Sequence, residues 1–445
     1  MVGTMTYEGA QWNAGLEVLH ALVQSGEEAY FVGGCVRDAL LGRRASDIDI
    51  TTSAAPELVM RLFPDALPTG LKHGTVTVRR AGFFFEVTTF RQEAGYSDGR
   101  RPDEVFFVRD VREDLARRDF TINAMAAGAD GGIVDPLGGV TDLRASAVRA
   151  VGEPAQRFGE DALRIVRCVR FAAEFGFAVD GPTWAGVLAC RDKLGLIAME
   201  RIGAELDKMC AGQDPGRAFG LLLAAELPER FKAPLPGTWL AGLRLAARET
   251  EGVSRGDRAD GGSDPGEGRG LARYVPIRAD ADLRWAALLL AGRASKADAE
   301  DVLRRLHFAS KRMKRVAAVI GLHAGLDAGS EEESLRRSWT LAVLDYGTEA
   351  AADWLRLFED GAVREAHGIP EALRSAAPGW TAALPAARIS ELAIRGDELA
   401  ALSGEPAGPW IAIALRELLE QVALGALAND AQSLREAFMR KRRAT

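Results

Sequence analysis

The 445-residue sequence lacks any long hydrophobic run. None approaches the roughly 18 apolar residues of a membrane-spanning helix, so no span is expected. Cysteine is scarce: Cys35, Cys168, Cys190 and Cys210 share no CxxC or Cys/His spacing. That excludes a zinc framework or a disulfide scaffold and leaves reduced, mostly buried thiols in a cytoplasm as the expected state. Met1 to Ala10 shows neither a basic leader nor an apolar stretch behind it, which argues against a signal peptide. Excess positive charge is also missing. The net charge of −7 excludes a protein coated in nucleic acid, though not one with a local basic groove. What is present is ordinary for a soluble globular chain: 47% hydrophobic and 27% charged residues, without internal repeats. The length suggests roughly two to four domains.

Against this plain background one stretch stands out, Gly33-Gly34-Cys35-Val36-Arg37-Asp38 followed by Asp47-Ile48-Asp49-Ile50-Thr51. Ala29-Tyr30-Phe31-Val32 reads as a short buried strand leading into it. A glycine pair lets backbone approach a phosphate closely, because no Cβ intervenes. The helix expected to start there offers free N–H groups and the positive end of its dipole, and Arg37 adds a fork for phosphate oxygens. Read as a strand, Asp47 and Asp49 project to one face, with Ile48 and Ile50 on the other. Two such carboxylates repel unless a cation joins them, and hard oxygen ligands suit Mg²⁺ with substrate phosphates. Taken alone, the glycine pair is a structural turn and the Asp pair a solvated one. The Arg and the Asp pair at this spacing favour phosphate chemistry at a metal.

Residues from about 27 to 140 mix β-branched runs with glycine turns. Thr75-Val76-Thr77-Val78-Arg79 and Phe83-Phe84-Phe85-Glu86-Val87-Thr88-Thr89-Phe90 read as strands joined by Ala81-Gly82. Beyond about residue 141 Leu, Ala, Arg and Glu take over at helical spacing. Glu251 to Gly270 is Gly-, Asp-, Ser- and Arg-rich and reads as a disordered insertion or long exposed loop. Two more clusters carry possible chemistry. Arg117-Arg118-Asp119 precedes the apolar Phe120-Thr121-Ile122-Asn123-Ala124-Met125 and reads either as phosphate or ribose recognition or as a charged first turn of a helix. Asp161, Arg164, Arg167 and Arg170 recur every third residue and read as one drifting helix stripe beside an apolar face of Leu163, Ile165, Val166 and Val169.

These segments together resemble the class II tRNA nucleotidyltransferases, the CCA-adding family of the polymerase-β nucleotidyltransferase superfamily. Gly33 to Asp49 are similar to its first motif, Arg117 to Ala124 to its second, and Asp135-Pro136-Leu137-Gly138-Gly139-Val140-Thr141-Asp142-Leu143 to its third, a hinge. Glu160-Asp161-Ala162-Leu163-Arg164 resemble the nucleotide-reading fourth, and Glu200-Arg201-Ile202 with Glu205 the helix-stabilising fifth. The ordered likeness covers residues 30 to 210 and resumes weakly near Gly396-Asp397 and Gly408-Pro409-Trp410-Ile411. It implies an α+β fold: a nucleotidyltransferase head with a small mixed or antiparallel sheet over 1–140, then an all-α neck (141–210), body (211–325) and tRNA-binding tail (326–445).

The resemblance also implies roles. Asp47 and Asp49 are expected to hold two Mg²⁺ ions, one activating the tRNA 3′-hydroxyl and one binding the triphosphate. Glu86 is the candidate for a third carboxylate. Gly34, Arg37 and Arg118 are expected to bind nucleotide, with Asn123 near the ribose. Asp161 and Arg164 are expected to choose C and A without a template. A carboxylate only accepts and a guanidinium only donates, and both bases set an exocyclic amine beside a ring-nitrogen acceptor. Guanine and uracil put a carbonyl oxygen where the amine should be. Arg167 and Arg170 are expected to meet phosphate or shape the pocket.

Residues 91 to 103 resemble the family's flexible loop, which CC-adding enzymes lack or shorten. Full CCA addition from CTP and ATP is therefore favoured over CC or A addition alone. Bacterial poly(A) polymerases share the head but carry strongly basic extensions, which this acidic chain does not match. A phosphohydrolase domain is not expected, because none of His20, His73, His307, His323 and His367 precedes an Asp. A catalytically dead RNA-binding relative, or a regulatory nucleotide-binding protein, is the reading from another class, and intact Asp47, Asp49, Asp161 and Arg164 argue against it. The partner is expected to be the tRNA acceptor arm, recognised by shape and backbone. Arg304-Arg305, Lys311-Arg312, Lys314-Arg315 and Arg440-Lys441-Arg442-Arg443 are candidate contacts. Oligomeric state is left open, a homodimer included.

Overall fold

The computed structural model describes residues 4–95, 104–248, 269–276, 278–327, 329 and 331–444. These fall into two units. Among the described residues, one comprises those up to Gln213 together with Leu221–Pro234, the other Asp214–Gly220 and those from Leu235 onward.

The first unit is built on β1 (Ala29–Val32), β2 (Ile50–Thr52), β3 (Leu67–Gly70), β4 (Thr75–Arg80), β5 (Phe83–Thr89), β6 (Arg91–Ala94), β7 (Glu104–Phe107), β8 (Ala126–Ala127) and β9 (Ile133–Val134). Seven of these form a sheet in the order β3-β4-β5-β2-β1-β8-β9, and β6 and β7 pair separately as a hairpin. The sheet is mixed: β2 runs parallel to β5, and the other neighbours are antiparallel. The β-branched and aromatic residues settle the register of the central hairpin. Val76 lies opposite Val87 and Val78 opposite Phe85, all four buried. Ala81 and Gly82 turn the corner with φ of 47° and 83°, the positive pair that a tight hairpin turn requires.

Helices α1 (Ala10–Gln24), α2 (Gly34–Leu40), α3 (Pro56–Leu62), α4 (Val111–Ala116), α5 (Gly139–Arg144), α6 (Pro154–Glu160), α7 (Leu163–Phe175), α8 (Gly181–Cys190) and α9 (Met199–Ala211) complete most of this unit. A parallel pairing of Ala147–Val148 with Ala178–Val179 interrupts the otherwise helical stretch after α5. The Asp135 carboxylate accepts from the N–H groups of Gly139 (2.7 Å) and Val140 (2.9 Å) at the start of α5. Capping of this kind explains an Asp four residues ahead of a short helix. All four cysteines are free and buried. The edges of the expected loop over 91–103 are β6 and β7, while residues 96–103 lie outside the described residues. So does the expected insertion over 251–270, up to residue 268.

The second unit is helical among its described residues, with long helices such as Ser310–Ala324 and Glu332–Leu357, the latter kinked at Gly347 (φ 90°). No helix among the described residues is long and apolar enough to cross a membrane. Its core holds Trp285, Trp339 and Trp354, each fully buried. Two histidines share this interior: His323 Nδ1 accepts from Trp354 Nε1 (3.3 Å), and His367 Nε2 donates to the Tyr274 carbonyl (3.1 Å). Burial lowers both imidazoles to about 4. The unfolded chain, with histidines near pKa ~6.5, therefore takes up protons first. Stability is fully present above about pH 6.5 and is lost as pH falls from there toward 4. Denaturant unfolding followed by tryptophan fluorescence should show about 1–3 kcal/mol lost per histidine across that window. An unchanged midpoint between about pH 7 and about pH 5 would contradict it.

Candidate active site

The strand β1 delivers its chain to Gly33, whose φ of 76° is one that glycine adopts freely. A Cβ there would lie 2.7 Å from Arg118 Nη1, so glycine also makes room for that guanidinium. Asp47 and Asp49 stand just before β2 rather than inside it: the strand begins at Ile50. The ladder nevertheless reaches back one residue, since Val32 N–H donates to the Asp49 carbonyl (3.0 Å). Ile48 and Ile50 are buried while Asp47 is exposed and Asp49 partly so, which preserves the expected alternation. Ile50 pairs with Val87 in the parallel register of β2 and β5, so Glu86 stands one step back, beside Asp49.

The electrostatics agree with that placement. Burial first, then Glu86, push the Asp49 carboxyl up to about 6; Arg118 opposes the rise and Asp47 adds to it. Crowded carboxylates of this kind are relieved by a divalent cation. Among the described residues no group of three Asp, Glu, His or Cys side chains stands placed to hold a metal ion. An open set of one or two carboxylates, completed by phosphate oxygens, is how Mg²⁺ is usually held. The residues present therefore fit a divalent metal.

The Arg117-Arg118-Asp119 segment does not open a helix, as one reading expected. It follows α4, which ends at Ala116, and precedes a single 3₁₀ turn over Thr121–Asn123. The Asp119 carboxylate bonds the N–H of Phe120 (2.8 Å), and Phe120 is extended and bridged to Ala150. Such local side-chain bonding competes with helix formation. Asp114, completely buried, anchors both arginines: it accepts from Arg117 Nε (3.0 Å) and Nη2 (2.8 Å) and from Arg118 Nη2 (3.3 Å). Burial works against its charge, yet Arg118 and Arg117 hold its carboxyl below the usual range. Arg118 Nε is buried and has no hydrogen-bond partner among the described residues.

Arg37, Arg167 and Arg170 converge on one ring. Their guanidinium carbons lie 5.3, 5.1 and 4.1 Å from the centre of Phe171. Hydrogen bonds link them around it. Arg37 Nη1 donates to Asn123 Oδ1, Asn123 Nδ2 to Asp119 Oδ1 (3.1 Å), and Arg167 Nε to Asp119 Oδ2 (2.8 Å). Arg170 Nε donates to Glu205 Oε2 (2.6 Å). Burial would raise the Asp119 carboxyl, but Arg167, Asn123 and Arg164 hold it at about 2. Asn123 thus connects Arg37 to Asp119. Gly34 opens α2, where a Cβ would stand in ordinary contact with Arg37 Nη2, at 3.6 Å.

Asp161 and Arg164 are not members of one helix stripe: the Arg164 N–H bonds the Asp161 carbonyl (3.0 Å), and the two side chains take different partners. Asp161 is extended (φ −143°, ψ 104°) between α6 and α7. Its Oδ1 accepts from Leu163 N–H (3.0 Å) at the start of α7, the capping behaviour that keeps Asp out of helix interiors. Arg201 of α9 grips the same carboxylate with both ends of its fork, Nη1 to Oδ1 at 3.2 Å and Nη2 to Oδ2 at 2.7 Å. Arg164 Nη1 donates to Glu160 Oε2 (2.7 Å) and Arg157 O (3.1 Å), and its Nη2 to Arg117 O (3.2 Å). Sequence reasoning assigned no site role to Asp114 or Phe171, and none of its own to Asp119 or Arg201 beyond membership of their motifs. Only the Phe at the end of the Arg164, Arg167, Arg170 series was a readable hint.

The chain matches two family profiles: the poly A polymerase head domain over residues 29–149 and tRNA nucleotidyltransferase domain 2 over residues 279–438. It is 36% identical over 442 residues to the CCA-adding enzyme of Geobacillus stearothermophilus, covering 96% of each chain. The chain belongs to the CCA-adding enzymes. It is a nucleotidyltransferase that adds CCA to tRNA, of a family that uses divalent metal. The crystal structure of the Bacillus stearothermophilus CCA-adding enzyme in complex with CTP superposes with a TM-score of 0.76 at 33% identity, covering 98% of this chain and 99% of that one. The Thermotoga maritima CCA-adding enzyme complexed with tRNA_CCA shares the fold, with a TM-score of 0.61 at 19% identity over 98% of this chain and 96% of that one. The poly A polymerase head profile covers residues 29–149 alone. Likeness to CCA-adding enzymes runs through nearly the whole chain.

Proposed function

We propose that Asp47 and Asp49 hold two Mg²⁺ ions, with Glu86 as the third carboxylate, and that Gly34, Arg37 and Arg118 bind the triphosphate of CTP or ATP. Ions held there would supply the positive charge that favours attack by the tRNA 3′-hydroxyl and departure of pyrophosphate. The observation that carries this reading is the segment around Arg117 and Arg118. Arg118 leans over Gly33 toward Asp49 with a buried donor unmet, while the carbonyl of Arg117, its neighbour, supports Arg164. One stretch of chain therefore aligns the phosphate end of a nucleotide with its base end, and rate follows from positioning and fixed charge.

Asp161 accepts the exocyclic amine of C or A and Arg164 donates to the ring nitrogen. Arg167 and Arg170 act by shaping the pocket, because Asp119 and Glu205 already engage them. Residues 1–140 serve as head, 141–210 as neck, 211–325 as body and 326–445 as the tail that binds the tRNA acceptor arm, in a cytoplasmic enzyme. On the helix Ser310–Ala324, Arg312 and Arg315 are paired with Asp282, Asp280 and Asp353, so exposed Lys311 and Lys314 are the better phosphate contacts.

The test uses tRNA transcripts that lack the terminal CCA. With CTP, ATP and Mg²⁺ the enzyme should extend them by C, C and A. The Asp161→Ala variant should lose discrimination against UTP and GTP by on the order of 10–100-fold. Extension that stops at CC, or long A tails, would replace this reading. A variant that excludes UTP and GTP as well as its parent would remove Asp161 from base selection.

A further inference from the structure

We infer that Arg201 is a positioning residue for nucleotide selection: its fork immobilises Asp161 so that the carboxylate can meet an amine and cannot shift to meet a ring N–H. The inference rests on the base-reading assignment of Asp161 and Arg164 and extends it to a residue on another helix.

The bonding capacity of the pair supports it. A carboxylate oxygen accepts about two hydrogen bonds. Oδ1 of Asp161 already takes Leu163 N–H (3.0 Å) and Arg201 Nη1 (3.2 Å), and Oδ2 takes Arg201 Nη2 (2.7 Å). One acceptor position is left, on Oδ2. Arg164 spends both Nη1 hydrogens on Glu160 and Arg157 and one Nη2 hydrogen on Arg117. Its Nε–H and the other Nη2–H are left. The unused capacity is one acceptor on Asp161 and two donors on Arg164 three residues on, the set that complements an amine next to a ring-nitrogen acceptor.

Uracil and guanine carry the reverse pattern, a carbonyl oxygen next to a ring N–H. They could still be held if Asp161 moved to the ring N–H and Arg164 took the carbonyl. Backbone capping alone leaves Asp161 free to turn about its side-chain bonds. The bidentate fork removes that freedom, because two parallel bonds set the carboxylate plane as well as its distance. Both side chains are largely shielded, at 22% exposure for Arg201 and 16% for Asp161, so the pair is not a loosely solvated one. Lysine has the charge but not the planar fork.

The experiment compares kcat/KM for CTP, UTP, ATP and GTP on the same transcripts in the parent, Arg201→Lys and Arg201→Gln. Both variants should lower the CTP/UTP and ATP/GTP ratios about tenfold or more, with tRNA affinity unchanged. Arg201→Lys should not rescue them, and because it keeps the charge beside Asp161 it serves even where Arg201→Gln folds poorly. A purely structural Arg201 would depress all four nucleotides together and leave the ratios at the parent value, which overturns the inference. Asp161→Ala in the same assay separates the two failures. If it relaxes selection while the Arg201 variants do not, only the role of Arg201 falls. If it too leaves the ratios unchanged, the base-reading assignment itself falls.

Discussion

Asp49→Asn should lower nucleotide addition about 10³-fold or more while leaving the protein as stable as its parent or more so. The activity loss follows from removing one of the paired carboxylates offered to the metal. The stability gain follows from the pKa. The Asp49 carboxyl is raised to about 6 by burial and by Glu86, so the fold prefers it protonated. Its ionised form costs stability that is absent below about pH 4 and grows as pH rises toward 6. At neutral pH an amide of the same shape should return about 1–3 kcal/mol of that cost. Single-turnover incorporation and thermal melting measure the two effects on one sample. Activity within about tenfold of the parent would take Asp49 out of metal binding. A fall in both activity and melting temperature would make it a structural residue. Strain of this kind is what functional sites store and structural ones avoid.

The side proposed to hold phosphate and metal was visible in the sequence because its signals are local. The glycine pair, Arg37 and the Asp47/Asp49 alternation lie within 17 residues, and the flanking strands announce themselves through Phe31, Val76, Val78, Phe85 and Val87. The side proposed to read the base showed in the sequence as residue types at a spacing, not as geometry. A three-residue spacing placed Asp161 on a helix, whereas its carboxylate caps that helix from outside. Spacing alone cannot separate a capping Asp from a helical one, since both precede an apolar run. What the sequence could not reveal is pairing across distance: Arg201 with Asp161, 40 residues apart, and Arg167 with Asp119, 48 apart. Such partners are chosen by the packing of α7 against its neighbours, which no local pattern encodes. Arg167 and Arg170, read as meeting phosphate or shaping the pocket, each have a donor engaged inside the fold that no local pattern announces.

That engagement leads to the second large effect, at Asp119. Its carboxylate accepts from Arg167, Asn123 and Phe120 N–H, and Asn123 in turn holds Arg37. Asp119→Ala removes the counter-charge from Arg167 and leaves Glu205, 3.9 Å away, as its nearest recorded carboxylate. Breaking a buried pair from one side costs about 3–5 kcal/mol, and the partial exposure of Arg167 places the expected loss at the lower end, about 3 kcal/mol. Activity should fall as well, through a raised KM for both CTP and ATP, because Arg37 loses the chain of bonds that orients it. Selectivity between nucleotides should hold, since Asp161 keeps its own partners. The pH dependence distinguishes a charge effect from a cavity. Asp119 sits at about 2 in the fold and near ~3.9 unfolded, so its contribution is full above about pH 4 and disappears as pH falls toward 2. Parent and variant should therefore differ most above about pH 4 and converge below it, whereas a gap constant with pH would mean that lost packing, not lost charge, carries the effect. A melting temperature unchanged at neutral pH would show that Arg167 needs no buried counter-ion, and would reopen it as a phosphate contact.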